Sequence, residues 1–248
     1  MRLTETETKN DSNLNDDFLK GIEMELNGMF IKNKSVMISI PCNYDFMYTK
    51  FVESLLMLNK TTRTRYAMGN QSRIDTCRNM LVENALKNNF EYILFLDSDM
   101  YPQENTLMRL LNCQKDIVGC LCFAKLPPFK PCFGMVEEGK AKAVLNFPKK
   151  MFEVDMVGMG CTLIKTEVFR KMDKPYFQFG EFGEDFTFCL KAKEKGFKIF
   201  LDASNTCYHL TMRGVGNEEY YRYMETDGFK LFQNKLKEIN GIYNGVLL

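Results

Sequence analysis

Two aspartates one residue apart, Asp97 and Asp99, stand where a buried strand is predicted to end. The preceding run Tyr92-Ile-Leu-Phe-Leu96 is wholly apolar or aromatic, which is typical of a strand covered on both faces of a sheet. Open α/β sheets bind ligands at the carboxyl ends of their strands. Two neighbouring carboxylates repel each other, and a divalent cation shared with a substrate's phosphates relieves that repulsion. A plain Asx-type turn before Pro102 is the alternative interpretation.

A second group of residues whose side chains could take part in catalysis or metal binding lies downstream. Glu184 and Asp185 stand at the predicted start of a helix, where the positive end of the helix dipole helps to keep carboxylates ionised. Ordinary helix capping is the alternative. His209 is the single histidine of the chain and follows a predicted strand. It is either a structural side chain or the imidazole that completes a metal site with Asp97 or Asp99.

The elements that must position these residues alternate between strands and helices in the first half of the chain. This order predicts a parallel sheet with helices on both sides, and the second half adds antiparallel strands, so the fold class is α/β with a mixed, mainly parallel sheet. Strands are predicted at 35–41, 63–68, 92–96, 116–123 and 198–202, with two or three more within 132–164. Helices are predicted at 16–30, 45–58, 71–88, 165–172, 182–196 and 218–240.

Composition narrows the class of protein. The net charge is +1, but the first 30 residues carry seven acids and three bases, so the remainder is about five units positive. This mild positive charge suits an anionic small-molecule ligand and does not suggest a nucleic-acid-binding stripe. No stretch approaches the roughly 18 apolar residues of a membrane-spanning helix, and the first residues contain no apolar signal core, so a cytoplasmic location is expected. The nine cysteines include no Cys-x-x-Cys and are expected to be reduced core residues.

An ordered set of segments carries a resemblance to a known family. The segments are Arg78-Asn79-Met-Leu-Val, Phe95-Leu-Asp-Ser-Asp-Met, Val157 to Phe169, Gly183 to Gly196, Asp202 and His209-Leu210. Together they resemble glycosyltransferases of the GT-A fold, close to family 2 and to small stand-alone enzymes of phages and bacteria. We therefore expect a polar tail and short helix over 1–34, a GT-A (Rossmann-like) domain over 35–210, and a lid loop with a helical tail over 211–248.

The resemblance implies that one sugar moves from a nucleotide-diphosphate sugar to an acceptor hydroxyl. Asp97, Asp99 and His209 would hold Mn²⁺ or Mg²⁺ against the donor diphosphate, with Asp99 the direct ligand and Asp97 reaching the ribose or, through water, the metal. Asp185 matches the general base of inverting members, and Glu184 supports it or contacts the acceptor. If no carboxylate reaches the acceptor oxygen, a retaining mechanism is the better interpretation.

The resemblance also implies a set of donor-binding residues. They are Pro41, Asn43 and Tyr44 at the nucleoside, Arg73 and Arg78 at the pyrophosphate or at Asp97, Ser98 between the two aspartates, and Arg213 in a lid over the phosphates. A core tyrosine, a surface salt bridge and an ordinary loop are the alternatives for Tyr44, Arg78 and Arg213. Family members place an aspartate at the end of the second strand to read uracil, and residues 63–70 contain no acid. The donor base is therefore open, with a UDP- or GDP-sugar expected.

Two other functions stay open. A nucleotidyltransferase has a similar sheet and acidic pair, but it usually carries a Gly-rich loop with Lys or Arg after the first strand, and Pro41-Cys-Asn-Tyr-Asp45 is not such a loop. A non-catalytic nucleotide-sugar-binding module would be favoured by loss of Asp99, Asp185 or His209, and all three are present.

The acceptor and the oligomeric state are the least determined features. Acceptor pockets of this fold are built from variable loops and the tail, here 125–155 and 211–248, and neither segment contains a readable motif. The aromatic tail residues Tyr220, Tyr221 and Tyr223 are candidates for packing on a second subunit.

Overall fold

The computed structural model describes residues 28–42, 46–70, 73–137, 140–144, 146–211 and 216–243. Most of the helix expected at 16–30 lies outside these ranges, although 28–32 are described and are helical. Three of the expected donor-binding residues, Asn43, Tyr44 and Arg213, also lie outside the described residues.

Strands and helices alternate along the described chain as the sequence predicts for its first half. The strands are β1 Ser35–Cys42, β2 Arg63–Asn70, β3 Tyr92–Leu96, β4 Met100–Tyr101, β5 Ile117–Leu121, β6 Phe133–Glu137, β7 Lys140–Ala143, β8 Met151–Val154, β9 Met156–Val157, β10 Cys161–Lys165, β11 Ile199–Thr206 and β12 Tyr208–His209. The helices are α1 Thr49–Met57, α2 Ile74–Lys87, α3 Thr106–Asn112, α4 Thr166–Arg170, α5 Gly183–Glu194, α6 Asn217–Met224 and α7 Asp227–Tyr243.

The central sheet has seven strands among the described residues, in the order β2-β1-β3-β10-β5-β11-β8. β1 is parallel to β2 and β3, and β11 is parallel to β5. β10 runs antiparallel to β3 and β5, and β8 runs antiparallel to β11. Five of the seven strands therefore point in one direction, which confirms the mixed, mainly parallel sheet of the GT-A (Rossmann-like) fold class. Smaller sheets pair β4 with β12, and β6 with β7 and β9.

Different helices cover the two faces of the sheet. All five residues of β3 are buried, and alternate side chains of a strand point to opposite faces. Ile93 and Phe95 pack in the core shared with α2, α4 and α5, whereas Leu94 and Leu96 pack in the core shared with α1 and α3. Each fully buried side chain of this kind contributes about 2 kcal/mol to stability. A strand covered on both faces must be apolar throughout, which explains the unbroken run in the sequence.

Two expectations about the second half are corrected by the structure. Residues 132–164 form five strands, β6 to β10, where two or three were expected, because pieces of two to five residues are too short to show a clear periodicity. The single tail helix expected at 218–240 is two helices, α6 and α7. Thr226 separates them, since its Oγ1 donates to the Tyr223 carbonyl at 2.6 Å and accepts from the Phe229 N–H at 3.3 Å.

Other expectations concern the membrane, the cysteines and the tail. Within the described ranges, no helix combines the length and apolarity needed to cross a membrane. The nine cysteines are free thiols, and Cys120 and Cys161 pack inside the sheet core. Tyr220 of the tail is buried against Phe123 of its own chain, whereas Tyr221 is exposed. Self-association and the predicted domain boundaries stay predictions.

Candidate active site

A tight turn at the carboxyl end of β3 presents the two aspartates. The Asp97 N–H donates to the Gly160 carbonyl at 3.0 Å, and the Met100 N–H donates to the Asp97 carbonyl at 3.0 Å, so the chain reverses over four residues. β4 then begins at Met100 and pairs with β12, where His209 lies opposite Met100. The Leu210 N–H also donates to the Asp99 carbonyl, at 2.6 Å. This small sheet brings together Asp99 and His209, which lie far apart in the sequence.

His209 faces Asp99 with a defined ring orientation. Its Nδ1 lies 2.9 Å from the Phe123 carbonyl oxygen, and its Nε2 lies 3.5 Å from Asp99 Oδ1. A carbonyl oxygen can only accept, so Nδ1 carries the hydrogen of this bond. In the neutral ring the lone pair of Nε2 then points towards an anionic oxygen, which is favourable only with a proton or a cation between them. Metal-binding histidines are oriented by the same kind of bond to a backbone carbonyl.

Asp99 is surrounded by cationic and hydrogen-bonding groups. Its Oδ2 contacts the ammonium of Lys125, and its Oδ1 faces His209. Burial opposes ionisation of this carboxyl, but hydrogen bonds from His209 in its doubly protonated form and from Lys125 outweigh burial and lower the pKa of Asp99 to about 2. Asp99 is therefore a carboxylate at any physiological pH.

Asp97 is held by a buried guanidinium on α2. Arg78 Nη2 donates to Asp97 Oδ2 at 3.1 Å, and Nη1 lies 3.0 Å from Oδ1 without the alignment of a hydrogen bond. Arg78 Nε donates to Glu184 Oε1 at 3.4 Å. The arginine side chain is only 3% exposed and lies over the ring of Phe95. One buried cation thus joins the Asp97 turn to the start of α5.

Asp185 has an unusual environment for a carboxyl group. Gly183, whose φ is +89°, makes the sharp entry into α5, and Asp185 Oδ1 accepts from the Phe186 N–H at 2.8 Å. Burial, together with the neighbouring Glu184, raises the pKa of Asp185 to about 6, although Arg78 works in the opposite direction. A carboxyl with that pKa can take up and release a proton near neutral pH.

The structure does not bring every predicted site residue to this centre. Arg73 is 64% exposed and pairs with Asp75 at 2.7 Å, so it does not contact Asp97. Arg73 is the N-cap residue before α2 and has an extended backbone, whereas Arg78 lies within the helix and points inwards. Pro41 lies at the end of β1 opposite Gly69 of β2, and Ser98 lies in the turn itself.

Lys125 was not among the residues selected from the sequence. It follows the carboxyl end of β5, just as Asp99 follows β3, and this shared position in two strands of one sheet is the signal that could have found it. The Phe123 carbonyl that orients His209 belongs to the same segment, but a backbone group has no signature in the sequence.

Asp97, Asp99 and His209 are the side chains of this site that could hold a divalent cation. The described ranges contain no group of three or more His, Cys, Asp or Glu side chains arranged to hold a metal ion. Asp99 and His209 nevertheless offer a carboxylate oxygen and an imidazole nitrogen, which suit Mn²⁺. Asp97 Oδ1 is buried without a hydrogen bond on the same turn. These groups fit a cation that takes its remaining ligands from phosphates and water.

Comparisons with known proteins agree with the fold. No family model matches the chain, and no curated protein matches it. Among solved structures 211 chains match, including the crystal structure of A197 from STIV. That match has a TM-score of 0.56 and 19% sequence identity, and it covers 75% of this chain and 91% of A197. At this identity the likeness shows the fold alone, and one fold hosts many functions. The chemistry of the site must carry any conclusion about activity.

Proposed function

We propose that this protein is a metal-dependent glycosyltransferase that moves one sugar from a UDP- or GDP-sugar to an acceptor hydroxyl with inversion. The observation that carries the proposal is the approach of His209 to Asp99, 3.5 Å apart at the carboxyl edge of a GT-A (Rossmann-like) sheet. Ligands of open α/β sheets bind at this edge. The ring orientation of His209 and the ionised state of Asp99 both suit a cation there.

The donor end of the reaction depends on Asp97, Asp99, His209 and Arg78. A bound Mn²⁺ or Mg²⁺ would neutralise the charge that develops on the departing nucleoside diphosphate. Asp99 and His209 would hold that cation. Arg78 fixes the position of Asp97, whose side chain is 28% exposed and would accept a hydrogen bond from the ribose or from a cation-bound water.

The acceptor end of the reaction depends on Asp185. As the acceptor oxygen attacks the anomeric carbon, its proton passes to the Asp185 carboxylate while the bond to the diphosphate breaks on the opposite face. A base with a pKa near 6 combines ionisation at neutral pH with a useful affinity for the proton. A Cβ at Gly158 would lie 3.2 Å from Cys132 Cβ and 3.5 Å from Asp185 Oδ2, so glycine lets the backbone at 158 pack closely against Cys132 beside this carboxylate.

A binding screen tests the donor half of the proposal. The purified protein is heated with UDP-, GDP-, CDP- and dTDP-sugars, each with and without Mn²⁺, because a ligand of the folded state raises the unfolding midpoint. We expect one nucleotide sugar to raise the midpoint only with Mn²⁺. Asp99→Ala should lose this effect. Asp116→Asn, which changes an acid paired with Lys165 elsewhere in the fold, should keep it.

A second measurement tests catalysis. Release of nucleoside diphosphate from the stabilising donor should be detectable with Mn²⁺, and it should fall strongly in Asp185→Asn. Binding without release in any condition would favour a nucleotide-sugar-binding module. No stabilisation by any donor, or the same stabilisation in Asp99→Ala, would contradict the proposal.

A further inference from the structure

Lys125 contacts Asp99, the carboxylate proposed as the direct ligand of the cation. The proposed reaction gives Lys125 no role. Its ammonium touches Asp99 Oδ2. The lysine side chain is 40% exposed and the aspartate side chain 24% exposed, so the contact lies at the rim of the site and not in the core.

The loop that carries Lys125 is anchored at its base. Phe123 and Pro131 form a bridge, the Ala124 N–H donates to the Lys130 carbonyl at 2.9 Å, and the Cys132 N–H donates to the Cys122 carbonyl at 2.8 Å. This loop, residues 123–131, therefore leaves the sheet in a fixed direction. The lysine side chain is long and rotatable beyond that base, so its ammonium can change partner without unfolding the loop.

Phe129 shows that the far side of the loop is also held in place. Its φ of 51° lies in the left-handed region, which bulky residues rarely adopt. Its ring packs edge-on against Tyr223 of α6 at 5.6 Å, and its N–H donates to the Leu126 carbonyl at 2.9 Å. Such conformations persist when the surrounding contacts impose them. Contacts on both sides therefore hold the loop that places Lys125 beside Asp99.

Both oxygens of Asp99 have partners in this arrangement. Oδ1 faces His209 Nε2, and Oδ2 faces the Lys125 ammonium. A divalent cation at Oδ1 would lie a few ångströms from the ammonium on the same carboxylate. Two cations at that separation repel each other strongly in a partly desolvated site. A cation at Asp99 and an ammonium at Asp99 therefore disfavour each other.

Charge balance indicates where the ammonium goes. The site holds the carboxyl groups of Asp97, Asp99, Glu184 and Asp185 against the cations Arg78 and Lys125. A divalent cation alone would replace the charge that the lysine supplies to Asp99. A bound nucleoside diphosphate would add new negative charge at the same edge, and a free ammonium at the rim could pair with it.

We propose that Lys125 is a built-in counter-ion that competes with the divalent cation for Asp99 and then pairs with the donor diphosphate. This inference rests on the cation site of the proposed function. Lys125 thus exchanges one anionic partner for another as the donor and its cation enter together. A consequence is that Mn²⁺ alone binds weakly to the wild-type protein, whereas Mn²⁺ and nucleotide bind with positive cooperativity.

The test measures two affinities that should change in opposite directions. Free Mn²⁺ is followed by electron paramagnetic resonance during titration of the wild-type protein and Lys125→Met. We expect the variant to bind Mn²⁺ about tenfold more tightly. Calorimetry at saturating Mn²⁺ then measures UDP and GDP, and the nucleotide that binds the wild type should bind Lys125→Met about tenfold more weakly. A merely structural lysine would not change the two affinities with opposite signs.

Two variants serve as matched controls. Lys130→Met removes a lysine from the same loop whose ammonium lies over the Phe232 ring, and it should change Mn²⁺ affinity by less than about twofold. Lys125→Arg keeps the charge and should resemble the wild type towards Mn²⁺. Thermal unfolding of each variant shows whether the fold is kept.

The possible outcomes separate this inference from the proposed function. If Lys125→Met binds Mn²⁺ no more tightly than the wild type while Asp99→Asn loses Mn²⁺, the cation site is right and the competition is wrong. Tighter Mn²⁺ binding with unchanged nucleotide affinity would overturn the exchange of partners. If Asp99→Asn binds Mn²⁺ as the wild type does, the cation site itself is wrong, and the inference fails with it.

Discussion

Asp97 and Asp99 leave the same turn one residue apart, and they meet opposite surroundings. Asp97 lies against Arg78, a guanidinium buried between the sheet and α5 and shared with Glu184. Asp99 lies against His209 and Lys125, whose side chains reach the surface. One aspartate is therefore held by a cation inside the protein, and the other by groups at the rim.

This difference indicates a division of labour within the Asp-x-Asp segment. A buried guanidinium that leaves its carboxylates would strand their charge in a region without water, which costs several kcal/mol. A lysine at the rim can be replaced by water or by another cation at little cost. The Asp97 side is suited to fix the geometry of the turn, and the Asp99 side is suited to exchange ligands.

Removal of Arg78 is the strongest test of this contrast, and the effect should be on stability. Arg78→Met leaves Asp97 and Glu184 without their shared cation, so we expect a loss of about 3–5 kcal/mol in the free energy of unfolding. Urea denaturation followed by circular dichroism measures this loss.

Arg73, the N-cap residue just before α2, offers a control. It is exposed, and its contacts are an ion pair with Asp75 and a cation–π approach to the exposed Phe179 ring, so Arg73→Met should leave the urea midpoint nearly unchanged. Equal losses in the two variants would mean that Arg78 is not the cation that holds the buried side of the site.

Asp185 gives the next largest expected effect, on catalysis. Asp185→Asn removes the proposed base, so sugar transfer should fall by about 100-fold or more while Mn²⁺ binding stays unchanged. In the wild type the ionised carboxylate is the active form. The value of kcat/KM should therefore rise with pH, reach half its plateau near pH 6, the pKa of Asp185, and level off about one pH unit higher. A rate that is independent of pH in this range, or an unaffected variant, would indicate a mechanism without this base.

The elements that carry the site residues could be predicted from the sequence, because each has a local signal. Burial on both faces requires residues 92–96 to be apolar or aromatic. Ligands of open α/β sheets bind at the carboxyl ends of the strands. The place of Asp97 and Asp99 therefore follows from a local pattern. The entry to α5 at Gly183 and the strand before His209 follow from equally local signals.

The partners of each aspartate could not be predicted in the same way. Arg73 and Arg78 both fall in the helix predicted over 71–88, whereas α2 begins only after Arg73, and the spacing does not say which arginine faces inwards. Lys125 reaches Asp99 through a loop whose direction depends on contacts with α6. His209 is oriented by the carbonyl of Phe123, and every residue has a carbonyl. Long-range contacts and backbone groups have no local signature.

His209 tests the exchangeable side, with a moderate expected effect on metal affinity. His209→Ala removes the Nε2 that faces Asp99, so Mn²⁺ affinity measured in the presence of nucleotide should fall by about tenfold or more. The turn itself is held by backbone bonds, so the unfolding midpoint should change little. Unchanged Mn²⁺ affinity would show that His209 is a structural histidine bound to Phe123.

A gain of stability is expected in Asp185→Asn. The folded protein raises the pKa of Asp185 from 3.8 to about 6, so the folded state binds this proton more tightly than the unfolded chain does. Stability from this group is therefore complete below about pH 4 and declines as the pH rises to about 6. Asparagine carries no charge and avoids that loss, so Tm should rise by roughly 5 °C at pH 8 and hardly at all at pH 4. Scanning calorimetry at the two pH values separates this charge effect from a packing effect, because improved packing would raise Tm equally at both. A carboxylate that lowers stability at neutral pH fits a catalytic role, because active sites commonly keep residues that destabilise the fold. A purely structural position would be served better by an uncharged side chain.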